Sequence, residues 1–239
     1  MTAVLSAPYD ATMPRRHLRL LALLAALVIA LITSCEGSTG QSAGLPDGAR
    51  LLADSATAMR TVDSARFNVD VQGNAPEIPF QSAQGQLTRE GSVKGTVNRN
   101  QGGQIVELEV VVVDEQLYLR GATGPFLKLP ASNLSGIYDP RLILDPDRGI
   151  AAVLASATDA STEAREQAAG VDSYRVEANF PAQPLGALLP GPQDEPKTGT
   201  VWIAAQDFRL VQARFPASDG TITVRFSEYD APAEITAPA

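Results

Sequence analysis

Cysteine and histidine are the side chains that most often act as nucleophile, general base or metal ligand. Each occurs once in the 239 residues, as Cys35 and His17. A single cysteine excludes an intrachain disulfide and a cysteine-based zinc site. The position of Cys35 is informative. Residues 20–32, LLALLAALVIALI, form a continuous apolar run of 13, preceded by Arg15, Arg16 and Arg19 and separated from Cys35 by Thr33 and Ser34. A spanning helix needs about 20 apolar residues, whereas a run of about 7–15 behind a basic start is the hydrophobic segment of an export signal. A thiol at the end of such a segment is a nucleophile placed for covalent modification.

The run closes on Ile32-Thr33-Ser34-Cys35, which resembles a bacterial lipobox: an aliphatic residue, two small residues, then cysteine. In proteins with that motif the thiol is diacylated and the cysteine becomes the mature N-terminus. The expectation is that residues 1–34 are a lipoprotein signal peptide and that Cys35 carries the lipid. Residues 1–12 fit no part of such a signal, and Met13-Pro14-Arg15-Arg16 reads as its start. Removal of residues 1–34 leaves 205 residues without histidine. With Arg15, Arg16, Arg19 and Asp10 gone, the net charge moves from −8 to −10. Two acyl chains suffice for stable anchoring. The expected location is therefore the outer face of a cell membrane, exported and lipid-anchored.

These losses remove whole classes of chemistry. Without His or a free Cys, the mature chain cannot build a Ser-His-Asp triad, a Cys-His dyad or a histidine metal site. It has no glycine-rich phosphate loop and no dinucleotide fingerprint. An acidic chain with pI ≈ 4.7 is a poor nucleic-acid binder. A carboxylate pair of the glycosidase kind stays open, but Glu107 and Glu109 share one strand face and read as solvated. Asp145-Pro146-Asp147-Arg148-Gly149 faintly resembles a calcium loop yet lacks the third and twelfth ligands, so it reads as a turn and helix cap. Trp202 reads as an exposed or half-buried platform on a sheet. The chain is read as a non-enzyme, and no cofactor or metal is expected.

The elements that position these residues follow from periodicity. Residues 36–47 are small and polar and read as a tether of about 20 Å. Asp47 can cap a helix from Gly48, in which Leu51, Leu52, Ser55, Met59 and Val62 share a face. The period then becomes two. Phe67, Val69 and Val71 alternate with polar residues. Strands are expected over 82–89, 92–99 (Val93, Val97), 104–113 and 117–119. The third of these carries Val106, Leu108, Val110 and Val112 on one face. A helix is expected over 149–157, containing Val153 and Leu154. Strands follow over 173–180 (Val176), 199–204 (Val201, Ile203), 208–215 (Val211) and 221–229 (Val224, Phe226). Residues 183–189 read as a short helix or loop. Such strands make a largely antiparallel sheet with one wet face, its other face covered by the helices. One α+β domain is expected over 48–230, with a loose tail at 231–239.

The apolar sheet face is rich in Val, Leu, Ile and Ala and poor in aromatics. The residues alone leave two readings. One is a close-packed core, as in a structural or interaction lipoprotein of the envelope. The other is a sheet and helices that stand apart around a dry cavity for acyl chains, each CH₂ of which costs about 0.8 kcal/mol to expose. Such a wall needs no catalytic residue.

Several longer stretches carry a resemblance. Ile137-Tyr138-Asp139-Pro140 is followed by Leu144-Asp145-Pro146-Asp147-Arg148-Gly149-Ile150-Ala151-Ala152-Val153-Leu154. Val110–Val113 leads to Asp114 and Leu117-Tyr118, and Thr200-Val201-Trp202-Ile203 comes later. Together they resemble the LppX/LprA/LprF/LprG lipoproteins of mycobacteria and relatives, over nearly all of 48–230. The resemblance implies a strongly curved antiparallel sheet, a half-barrel, with helices closing over its concave face and enclosing an apolar cavity. It implies a carrier of multi-acyl lipids or glycolipids, including triacylglycerol, that works with a major-facilitator efflux pump. Carried onto matching strands, it places Val97 in the cavity wall in register with Val93. Val106, Leu108, Val110 and Val112 form the deep wall, and Val153 and Leu154 belong to a covering helix. Val69, Val71, Val176, Val201, Ile203, Val211, Val224 and Phe226 complete the expected wall.

Overall fold

The computed structural model describes residues 44–76, 78–134, 139–186, 188–189 and 193–238. The signal segment, Cys35 and most of the tether lie outside the described residues, as do Ile137 and Tyr138. None of the helices among the described residues is long and apolar enough to cross a membrane.

Helix α1 (Gly48–Met59) starts where its cap places it. The Asp47 carboxylate accepts the Arg50 N–H at 2.8 Å and satisfies one of the free donors of the first turn. Its buried stripe is Leu51, Leu52, Ser55, Ala56 and Met59. Six strands follow: β1 (Ser64–Asn74), β2 (Ser82–Thr88), β3 (Val93–Gln101), β4 (Gln104–Val113), β5 (Gln116–Arg120) and β6 (Leu127–Pro130). A 3₁₀ turn (Ala131–Leu134), the single helical turn α2 (Pro140–Ile143) and helix α3 (Ile150–Ser156) form the crossing. Five more strands are β7 (Thr158–Ala168), β8 (Val171–Phe180), β9 (Lys197–Ala204), β10 (Leu210–Ala217) and β11 (Asp219–Ser227). A short turn α4 (Ala182–Leu185) lies between β8 and β9.

All eleven strands form one sheet in the order β6-β5-β4-β3-β2-β1-β11-β10-β9-β8-β7. Every pairing is antiparallel, and the sheet is not closed: β6 and β7 are its edges. Each neighbouring pair is consecutive along the chain except one. β1 and β11 join the two meanders, in a register that runs from Arg66↔Ser227 to Asn74↔Asp219.

The solid core lies over the second meander. Leu51, Leu52, Ala56 and Met59 of α1 and Ile150, Ala151, Val153 and Leu154 of α3 pack with Val176, Phe180, Val201, Ile203, Leu210, Ala213 and Phe215. Leu185, Leu188 and Leu189 fill the adjoining space. Phe180 and Phe215 meet edge to face with centroids 5.2 Å apart. Gly199 admits this pair, since a Cβ there would fall 2.3 Å from the Phe215 ring.

Two strands were not expected. β7 reads TDASTEAREQA, with few β-branched residues and no clear apolar alternation. It is an edge strand paired only with β8 and carries register shifts after Thr158 and Thr162. β6 is only four residues long. Trp202 is a second difference. It is buried on the sheet face opposite the core, with Ala168, Ala204 and Val211. Its Nε1–H donates to Glu166 Oε1 at 2.8 Å, and the Arg214 guanidinium stacks 5.1 Å above the ring. Neighbouring long side chains therefore cover the expected platform.

Candidate functional site

Over the first meander the side chains change from filling space to bordering it. β3 carries Val93, Gly95, Val97 and Arg99 on one face, opposite Val112, Val110, Leu108 and Val106 of β4. The same rows continue through Leu87, Gly85 and Ala83 of β2 to Phe67 and Val69 of β1, then to Phe226 and Val224 of β11. A pocket of about 280 Å³ lies against this face. Its far side comes from loops: Pro79 and Phe80, Leu134, Pro140 and Ile143, and Leu188. The walls are aliphatic and aromatic, and among the described residues Arg99 is the one charged lining residue. A cavity of about 150 Å³ lined by Leu, Ile and Phe already stays dry and takes up benzene, so this larger one suits hydrocarbon.

Eight of the expected wall residues line the pocket: Val69, Val93, Val97, Leu108, Val110, Val112, Val224 and Phe226. The others lie elsewhere. Val71 packs, partly buried, against the solid core. Val106 is half-buried on β4, beyond the lining residues. Val153, Leu154, Val176, Val201 and Ile203 are buried inside the solid core. The expected covering helix α3 therefore packs over the second meander. Val211 sits with Trp202 on the opposite face. A register shift between Leu210 and Gln212 turns it there while Leu210 and Ala213 stay in the core. Phe67, Leu87 and Leu119 also line the pocket, and alternation in register with Val69, Val93 and Val110 marks them. The loop residues carry no such periodic signal.

The segment over the pocket is held by two aspartates. Asp139 caps α2, accepting the Arg141 N–H at 3.0 Å and pairing with its guanidinium at 2.9 Å. Asp145 accepts the N–H groups of Asp147 and Arg148 at 3.0 and 2.9 Å and pairs with the Arg148 side chain at 2.7 Å. The Arg141 hydrogen bond holds the Asp139 carboxyl below its ordinary value, and the Arg148 hydrogen bond does the same for Asp145. Gly149 closes the turn, because a Cβ there would lie 2.4–2.6 Å from the carbonyls of Leu142, Ile143 and Asp145. The 145–149 stretch is a turn and helix start, and the described residues hold no His/Cys/Asp/Glu group arranged for a metal. Glu109 spends its carboxylate on Arg120 at 2.6 Å.

An open antiparallel sheet, filled under one half and bordered by an aliphatic pocket under the other, is a frame suited to holding apolar molecules. The chain belongs to the LppX_LprAFG lipoprotein family, whose pattern matches residues 47–235. It is 34% identical over 237 residues to the lipoarabinomannan carrier protein LprG of Mycolicibacterium smegmatis, covering 95% of this chain and 99% of that one. It is 30% identical over 233 residues to the protein of the same name from Mycobacterium tuberculosis, covering 94% and 98%. The fold is that of LprF from Mycobacterium bovis, with a TM-score of 0.72, 24% identity and coverage of 82% and 100%. LppX from Mycobacterium tuberculosis gives a TM-score of 0.59, 21% identity and coverage of 78% and 98%.

Proposed function

We propose that this protein is a membrane-anchored carrier of multi-acyl lipids or glycolipids. The observation that carries this reading is the pocket of about 280 Å³ with its almost wholly apolar lining. Acyl chains enter it because each CH₂ removed from water gains about 0.8 kcal/mol. The relatives named for lipoarabinomannan point to a glycolipid with several acyl chains as cargo. The sheet bends around this cargo as a half-barrel. Six strands from β11 to β5 laid flat would span about 24 Å at about 4.8 Å each, yet side chains from all six border one pocket. The 139–149 segment and the neighbouring loops form the closing side.

Cys35 is the lipidation site and holds the protein at the outer face of the cell membrane. Residues 36–47 give a tether that reaches at most about 40 Å when extended, so lipid is handed over close to the membrane. The efflux pump of the major-facilitator class is the partner that the family resemblance supplies for the next step.

The test is mass spectrometry of solvent-extracted lipid from protein purified from an actinobacterial host, for wild type and Val97→Trp. A stoichiometric multi-acyl lipid is expected with the wild type. The indole of the variant fills the pocket, so a folded but lipid-free protein is expected there. A folded wild type that carries no lipid and ignores added glycolipid would leave the interaction-lipoprotein reading in its place.

A further inference from the structure

One charged side chain borders the apolar pocket, and its position is unusual. Arg99 follows Val93 and Val97 on the pocket-facing side of β3. It lies where that strand outruns its neighbours. β2 ends its pairing at Ser82↔Asn98, and β5 ends its pairing with β4 at Arg120↔Glu109. Residues 99–106 therefore overhang the sheet as a bare two-stranded lip, with Arg99 paired to Val106. Leu108 and Val110 face the pocket, so Glu107 and Glu109 of the same strand project to the other side. The Arg99 side chain is exposed and makes no ion pair or hydrogen bond with any described residue. Eleven described pairings join arginine to carboxylate; Arg99 takes part in none, as Arg60 and Arg214 do not, but of these three it alone lines the pocket.

We propose that Arg99 receives the phosphate of an anionic lipid headgroup while the acyl chains of that lipid occupy the pocket. This rests on the carrier reading and adds to it a preference for phosphate-bearing lipids. A guanidinium presents a planar fork of donors that matches two phosphate oxygens at once, and it is more weakly hydrated than an ammonium group. At the end of an apolar wall it meets the phosphate of a lipid whose chains already lie in the pocket, so the contact adds to the burial that the chains supply. The division of labour follows from geometry: the hydrocarbon below Val97 supplies affinity, and the group beside Arg99 supplies selection between headgroups.

The experiment titrates the full-length protein, stripped of co-purified lipid, with dioleoylphosphatidic acid and with dioleoylglycerol. The two share their acyl chains and differ in the phosphate. Wild type is expected to prefer the phosphatidate by about tenfold, the factor of one charge-assisted hydrogen bond. Arg99→Gln is expected to lose that preference and keep its affinity for dioleoylglycerol. Arg99→Lys is expected to keep part of the preference. Equal preference in wild type and Arg99→Gln, or none in wild type, would overturn the assignment. Inorganic phosphate is the third probe. Stabilisation by phosphate alone that Arg99→Gln abolishes would mean a free-anion site and would also overturn it. Wild type that binds neither lipid would instead sink the carrier reading itself.

Discussion

Gly85 and Gly95 are Cα partners across β2 and β3, between the pocket-lining pairs Leu87/Val93 and Ala83/Val97. Two facing glycines remove both side chains from the middle of the wall, and they also let the backbones approach closely. A Cβ on Gly85 would lie 2.4 Å from the Lys94 carbonyl oxygen, and one on Gly95 would lie 2.1 Å from that of Gln84. No side chain fits at these distances without moving a strand.

Gly95→Ala is therefore expected to destabilise the domain by about 1–3 kcal/mol, the range for forced overpacking. The check is the urea midpoint, with lipid uptake measured beside it. An unchanged midpoint would mean the two strands can separate freely at this point.

The two halves of the sheet are expected to answer truncation differently. Phe215→Ala removes a ring that packs on Phe180 in the solid core and is expected to cost about 3–5 kcal/mol. Val110→Ala widens a space that is already hollow and is expected to cost about 1 kcal/mol or less. Chemical denaturation of both variants measures the difference. Equal costs would contradict the solid and hollow division.

Asp139 and Asp145 give the segment over the pocket a pH dependence. Their carboxyls are held below the ordinary value by Arg141 and Arg148. A lowered folded value means that the unfolded chain binds the proton more readily. The stabilisation is present above the ordinary carboxylate range and is lost as pH falls through the folded value. The Tm of wild type is expected to exceed that of Asp139→Asn/Asp145→Asn at pH 6, and the gap is expected to close as pH drops below about 4. A gap that stays constant to pH 2.5 would show that charge plays no part in these pairs.

Trp202 is the only tryptophan, and it lies on the face away from the pocket. Its emission is expected to be that of a buried indole and to stay unshifted when lipid binds. A spectral shift on lipid addition would place it at the binding surface.

Much of this was legible in residue alternation. QIVELEVVVV at 104–113 presents Leu108, Val110 and Val112 to one side, and the structure seats them along the pocket. Alternation says which residues share a face but not what lies opposite that face. Val176, Val201 and Ile203 follow the same pattern, yet α1 and α3 pack directly on them. Which half is covered depends on where the crossing segment docks. It also depends on how α1 sits on the edge strand β7, where Gly48 approaches the Ala160 carbonyl, and no periodicity encodes such an approach. A single register shift at Leu210/Gln212 puts Val211 on the face opposite Ala213, which alternation alone does not encode. β7 escaped notice because its pattern lacks the apolar alternation by which strands are recognised.

The two ends of the sheet bear on how molecules of this protein meet one another. An open sheet offers unpaired N–H and C=O groups at both rims, a template onto which another chain could add. At one rim, β6 is four residues long and ends in Pro130, which has no N–H to give. At the other, β7 bears Asp159, Glu163, Arg165 and Glu166 and is kinked twice by its register shifts. Neither rim presents a long, flat, uncharged ladder. Copies crowded side by side can thus collide repeatedly without zipping into a shared sheet, and the hollow half of each stays its own.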